Sequence, residues 1–110
     1  MANRILRVEN TRDQAAYRHA KPGAAKWLVY SAAMKKPTHE PYGVDAAMAK
    51  LVAAETASDV TRRCVQLFGG YGYTREYPME RMMRDAKITE IYEGTSEVQR
   101  MVISANLGVN

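Results

Sequence analysis

The stretch from Gly43 to Phe68 constrains the fold more than any other part of the chain. Val44, Met48, Leu51, Val52, Val60, Cys64 and Leu67 recur mostly at steps of three and four residues, the spacing that lines one face of an α-helix. Alanines at 46, 47, 49, 53, 54 and 57 favour helix and let a neighbouring helix come close. Pro37 and Pro41 punctuate a turn before this run, and Gly69-Gly70 stop it, as glycines at a helix end commonly do. An amphipathic helix of this length has to bury its stripe against partner helices.

The flanking segments supply those partners. From Ala24 to Lys36 the residues favour helix, with Trp27, Leu28, Ser31 and Ala32 able to share one face. Ahead of it, Ile5, Leu6 and Val8 form a small apolar cluster, and Pro22-Gly23 is expected to break any helix passing through. After Gly70 the loop GGYGYTREY leads to Pro78, a good first-turn residue, and to a short helix ending at Ile88. A non-helical link, TEIYEG, precedes a last helix announced by Ser96 with Gln99 three positions on, a capping-box spacing. Val98, Met101, Val102 and Ala105 are its expected buried face, and Gly108 ends it. No strand pattern of useful length occurs. The expected fold is all-α, a partial antiparallel helical bundle of about three helices plus a short one. Residues 24–110 form its helical domain, and residues 1–23 stay unassigned.

Several function classes drop out on composition. At 46 % hydrophobic and 25 % charged residues the chain is an ordinary folded sequence rather than a disordered one. The lone Cys64 excludes an internal disulfide, and His19 and His39 lack ligand-like spacing, so no metal is expected. No apolar run has the length of a bilayer span, and the amino terminus lacks a signal-peptide core, which makes cytoplasmic placement the expectation. Net charge is +4, with Arg62, Arg63, Arg75, Arg81, Arg84 and Lys87 gathered near Tyr71, Tyr73 and Tyr77. Glu76, Glu80, Asp85, Glu90 and Glu93 interrupt those cations and spoil a phosphate track, so nucleic acid is not an expected partner.

Two elements could carry chemistry. Gly69, Gly70 and Gly72 follow a helix rather than a strand and do not fit GxGxxG, which excludes a dinucleotide-binding loop. They read either as a helix stop with a tight turn or, for Gly69 and Gly70, as a place where backbone approaches a flat or anionic ligand. Glu93 lies between two helices, beside Gly94 and next to Ile91 and Tyr92. It is either a solvated loop glutamate near a helix amino terminus or a carboxylate that apolar neighbours desolvate, as suits a general base.

The string VQLFGGYGYTREYPMERMMRDAKITEIYEGTSEVQRMVISANLG resembles the carboxyl-terminal end of the acyl-CoA dehydrogenases, especially the short-chain, butyryl-like members. WLVYSAA and AAMAKLVAAETASDVTRRC are similar to the two helix segments that precede it there, so the resemblance covers roughly Ala24 to Gly108. It implies an FAD-dependent α,β-dehydrogenation of an acyl-CoA thioester, with Glu93 as catalytic base and with Gly94 and Tyr92 at the thioester. The turn Gln66, Leu67, Phe68, Gly69 and Gly70 would approach the adenine-diphosphate end of FAD, typically that of a neighbouring subunit. Thr95, Ser96 and Glu97 match further FAD-contacting residues at the start of the last helix, where helix N–H groups suit a pyrophosphate. The implied partners are a second copy in a homo-oligomer, or a polypeptide that supplies the family's other domains.

The departures from the family are as informative. Its members are much longer, and their amino-terminal helical domain, β-domain and first carboxyl-terminal helix have no counterpart here. The alternative function is therefore a non-catalytic helical oligomerisation or interaction module.

Overall fold

The computed structural model describes residues 9–108, with side-chain surroundings from residue 15 onward. The cluster of Ile5, Leu6 and Val8 lies outside them. Among the described residues five helices follow one another: α1 (Glu9–Lys35), α2 (Gly43–Phe68), α3 (Gly70–Tyr73), α4 (Met79–Ile88) and α5 (Ser96–Asn106). No strand occurs among the described residues, so the all-α expectation holds. No helix there is long and apolar enough to cross a membrane.

The centre of the molecule is α2, whose bounds are those expected from periodicity. Helices α1, α3, α4 and α5 all pack on it, and the one substantial contact that bypasses it joins α3 to α4. Alanine explains how one helix accepts so many neighbours. Ala25 and Ala32 of α1, Ala47, Ala49 and Ala54 of α2, and Ala86 of α4 are the buried apolar residues. Methyl side chains bring helix axes close but bury little area each, and no large side chain is fully enclosed. The accessible surface is 8232 Å² for 12.3 kDa, whereas a compact monomer of that mass exposes about 6,100 Å².

Three expectations are corrected here. Pro22-Gly23 does not break α1, which continues through Pro22 to Lys35. Both residues are exposed, so the ring meets no packed neighbour and water can satisfy the carbonyl that loses its donor. Trp27 does not share the buried face of Leu28 and Ala32; it is 74 % exposed and stacks edge-on against Tyr30. The expected buried face of the last helix points outward: Val98, Met101, Val102 and Ala105 are all exposed. Helix α5 instead keeps Ser96 buried and Gln99, Ile103 and Ser104 half-buried where it packs on α2, and Arg100 pairs with Glu55 of α2.

Polar contacts set the angles between helices. At the α1–α2 crossing Asp59 accepts from Tyr17, at 3.2 Å, and from Arg63, whose guanidinium also covers the Tyr17 ring at 4.4 Å. Burial acts to raise the Asp59 carboxyl, but hydrogen bonds from Arg63, Arg62 and Tyr17 outweigh it and hold Asp59 below the ordinary carboxylate range. At the other end Lys35 bonds Asp45 at 2.9 Å across the connecting turn.

Candidate active-site loop

The link between α4 and α5 is a tight, internally bonded loop. The Ile88 carbonyl accepts from both Ile91 and Tyr92 N–H at 3.0 Å, which carries the chain off the end of α4. Glu93 (φ 54°) and Gly94 (φ 92°) then turn it back through successive left-handed conformations. Ser96 N–H closes the loop by donating to Glu90 O at 3.0 Å. Glycine adopts such a conformation freely, but at a glutamate it costs about 1–2 kcal/mol. A functional reason for a glutamate there is therefore worth seeking.

Glu93 is exposed, and neither its N–H nor its carboxylate has a partner among the described residues. The desolvating neighbourhood expected from its sequence context is not built by these residues, because Ile91 is 51 % and Tyr92 53 % exposed. The apolar side chains stand beside the carboxylate without covering it. Any enclosure has to come from another surface.

The start of α5 differs from expectation by one residue. Thr95, not Ser96, is the N-cap: its backbone is extended and its hydroxyl accepts from Val98 N–H at 3.2 Å. Ser96 lies inside the first turn, 5 % exposed, and its hydroxyl has no hydrogen-bond partner among the described residues. With Ser96 N–H bonded to Glu90 and Val98 N–H to Thr95, the helix end keeps fewer free donors for an anion than its position implies. Thr95→Ala is expected to cost about 1 kcal/mol, read as a lower urea midpoint of a probe on α5.

The glycine turn resolves into three separate roles. Gly69 (φ 64°) ends α2 and needs its left-handed freedom. Gly70 faces open space, with nothing within 4 Å of where a Cβ would stand. Gly72 is the true close approach, since a Cβ there would lie 2.6 Å from Val65 O and 2.8 Å from Phe68 Cβ. The segment after Gly69, expected as loop, therefore makes a helical turn (α3) pressed onto the end of α2, with Phe68 and Tyr71 against Tyr77. Gln66 is exposed, while Leu67 and Phe68 are half-buried.

The two predicted groups do not converge. Tyr92, Glu93, Gly94, Thr95, Ser96 and Glu97 share one loop and helix start, held against α2 at Lys50. Gln66 to Gly70 lie at the far end of α2, eighteen residues on from Lys50, or about 27 Å along the axis.

Two features escaped the sequence reading. Lys50 donates to the carbonyls of Thr89, at 3.2 Å, and of Gly94. Its only sequence signal is a single cation inside an alanine-rich run. A groove of about 920 Å³ also runs between α2 and α4, past Asp59, Arg62, Arg75, Arg84, Lys87 and Glu90. Its charges alternate in sign, and none of the predicted site residues lines it. Ser58 and Lys87 beside Glu90 hold that carboxyl below the ordinary range against an opposing desolvation.

Comparison with known proteins places this geometry in a family. The family model described as "Acyl-CoA dehydrogenase, C-terminal domain" matches residues 2–108, beginning ahead of the boundary expected at Pro22-Gly23. The short-chain specific acyl-CoA dehydrogenase of Clostridium acetobutylicum is 68 % identical over 84 residues, which are 76 % of this chain and 22 % of that protein. The 3-(aryl)acrylate reductase of Clostridium sporogenes is 45 % identical over 103 residues, 94 % of this chain and 27 % of that one. Butyryl-CoA dehydrogenase from Megasphaera elsdenii superposes with a TM-score of 0.91 at 51 % identity, over 93 % of this chain and 27 % of its own. The chain thus spans about a quarter or less of the length of these relatives. With its helices, loop and turn in the same order and arrangement, the chain belongs to the acyl-CoA dehydrogenase family and corresponds to its carboxyl-terminal helical domain.

Proposed function

We propose that this chain supplies the catalytic base and part of the flavin site of an FAD-dependent enzyme that α,β-dehydrogenates an acyl-CoA thioester. The observation that carries the reading is the left-handed Glu93, which presents an unengaged carboxylate and an unengaged N–H on one internally braced loop. The carboxylate takes the α-proton of the thioester. The Glu93 N–H donates to the thioester carbonyl as negative charge develops on its oxygen, with the open backbone of Gly94 beside it. A bound FAD would supply the hydride acceptor for the β-hydrogen, and Glu93 would keep the α-proton as the enoyl-CoA forms.

The residues present fit a flavin in part. The open face at Gly70 and the exposed Gln66 leave room for a flat or anionic group at one end of α2. Thr95 and Glu97 flank the buried Ser96 at the other. A separation of about 27 Å supports a reading in which the two sets serve different copies of the cofactor, each flavin lying between two subunits. The outward apolar residues of α5 suit a homo-oligomer of that kind, or the domains that the longer relatives carry.

A second reading, a non-catalytic helical interaction module, is favoured by the same outward face. The two part on a flavin titration. Purified chain mixed with FAD is expected to retain visible flavin absorbance after gel filtration, in a species larger than a monomer. A colourless protein after that step removes cofactor binding from the chain alone and leaves the module.

A further inference from the structure

We propose that Lys50 is a positioning residue for Glu93, its ammonium gripping both ends of the loop that presents the carboxylate. The inference rests on the reading of Glu93 as the base.

The loop has few other anchors. Its backbone hydrogen bonds set its local shape and tie it to the ends of α4 and α5, and Glu90 adds a side-chain approach to Ser58 of α2. Helix α5 turns Val98, Met101 and Val102 outward and has Ile103 as its half-buried large hydrophobic residue. Lys50 crosses that gap. It rises from the alanine face of α2, between the buried Ala49 and the half-buried Leu51, and bonds the Thr89 and Gly94 carbonyls. Those two carbonyls bracket Glu93, one where the chain leaves α4 and one immediately after the base. Gln99 adds a weaker donor to Gly94 O at 3.4 Å, and a Cβ at Gly94 would stand 2.7 Å from that amide nitrogen.

The chemistry of the pair suits lysine. An ammonium carries three donors and no acceptor, so it can serve two carbonyls at once with charge-assisted bonds. Lys50 forms no ion pair among the described residues, so these two carbonyls are its described polar partners. A surface lysine held only for solubility would not be half-buried and aimed at backbone. Since the peptide carbonyl of Gly94 is one residue from Glu93, a shift there rotates the base and its N–H together. Misplacement by about 1 Å is enough to cost a large factor in rate.

The test uses the full chain with Lys50→Met, which keeps the stem and removes the donors, together with Lys50→Gln and Lys50→Arg. Amide hydrogen exchange at residues 91–96 is expected to quicken about tenfold in Lys50→Met, while residues 57–64 of α2 and 79–86 of α4 keep their protection. In the flavin-loaded assembly the maximal rate of flavin reduction is expected to fall about tenfold, with the half-saturating acyl-CoA concentration unchanged. Lys50→Arg recovers most of both. If Lys50→Met fails to fold, Lys50→Gln carries the same comparison.

Unchanged loop exchange, or exchange that quickens equally along α2 and α4, overturns the proposal. So does a quickened loop with an undiminished flavin rate. If Glu93→Gln keeps full flavin reduction, the base assignment falls instead, and the exchange result still decides whether Lys50 holds the loop.

Discussion

Glu93→Gln is expected to lower acyl-CoA-dependent bleaching of the flavin by at least about 100-fold, toward 10,000-fold, in an assembly that binds FAD. The substitution changes one thing. Glutamine has the shape of glutamate and tolerates the left-handed φ of 54° no worse, but its amide cannot accept the α-proton. The Glu93 N–H is untouched, so the thioester still finds its donor. Flavin content and acyl-CoA binding should stay near those of the parent chain. Loss confined to the bleaching step is what a base predicts, whereas loss of flavin content would point to a positional role. Undiminished bleaching would strip Glu93 of its assignment.

Gly72→Ala should produce the largest loss of stability among single methyl additions. The added Cβ meets a carbonyl oxygen at 2.6 Å and Phe68 Cβ at 2.8 Å, neither of which is the free end of a flexible side chain. Relief requires α3 to lift from the end of α2. Overpacking of that kind costs about 1–3 kcal/mol, read as a lower melting midpoint of a probe on α3 or α4. Gly70→Ala is the matched control, since its Cβ enters open space and its φ is not left-handed. Its melting curve should overlay that of the parent. Equal behaviour of the two variants would mean that α3 does not pack on α2 as described.

Much of this architecture is legible in the residues, and the misreadings share a cause. Periodicity located α2 because its stripe is long and bounded by strong breakers. The same rule misassigned α5, where the apolar positions at 98, 101, 102 and 105 do mark a face, but one turned away from the chain's own helices. Periodicity reports that a face wants covering and is silent on what covers it. Pro22 reads as a breaker in sequence, but at an exposed position a helix runs through it. The spacing to Gln99 points to Ser96 as the cap, though Thr95 offers the same hydroxyl one position earlier. Family resemblance, rather than spacing, singles out Glu93. Lys50 and Gly72 were beyond sequence reasoning because their roles depend on which carbonyl lies across the gap.

The hub arrangement of α2 bears on how the chain comes apart. Because α1, the α3–α4 pair and α5 each dock on α2 with little support from one another, undocking one leaves the others' contacts standing. Melting should therefore be graded rather than all-or-none, with probes on different helices reporting different midpoints. The loop that carries Glu93 spans two of these separable units. Its geometry is only as durable as the weaker of the two dockings, so a partner that covers α5 would steady Glu93 without touching it.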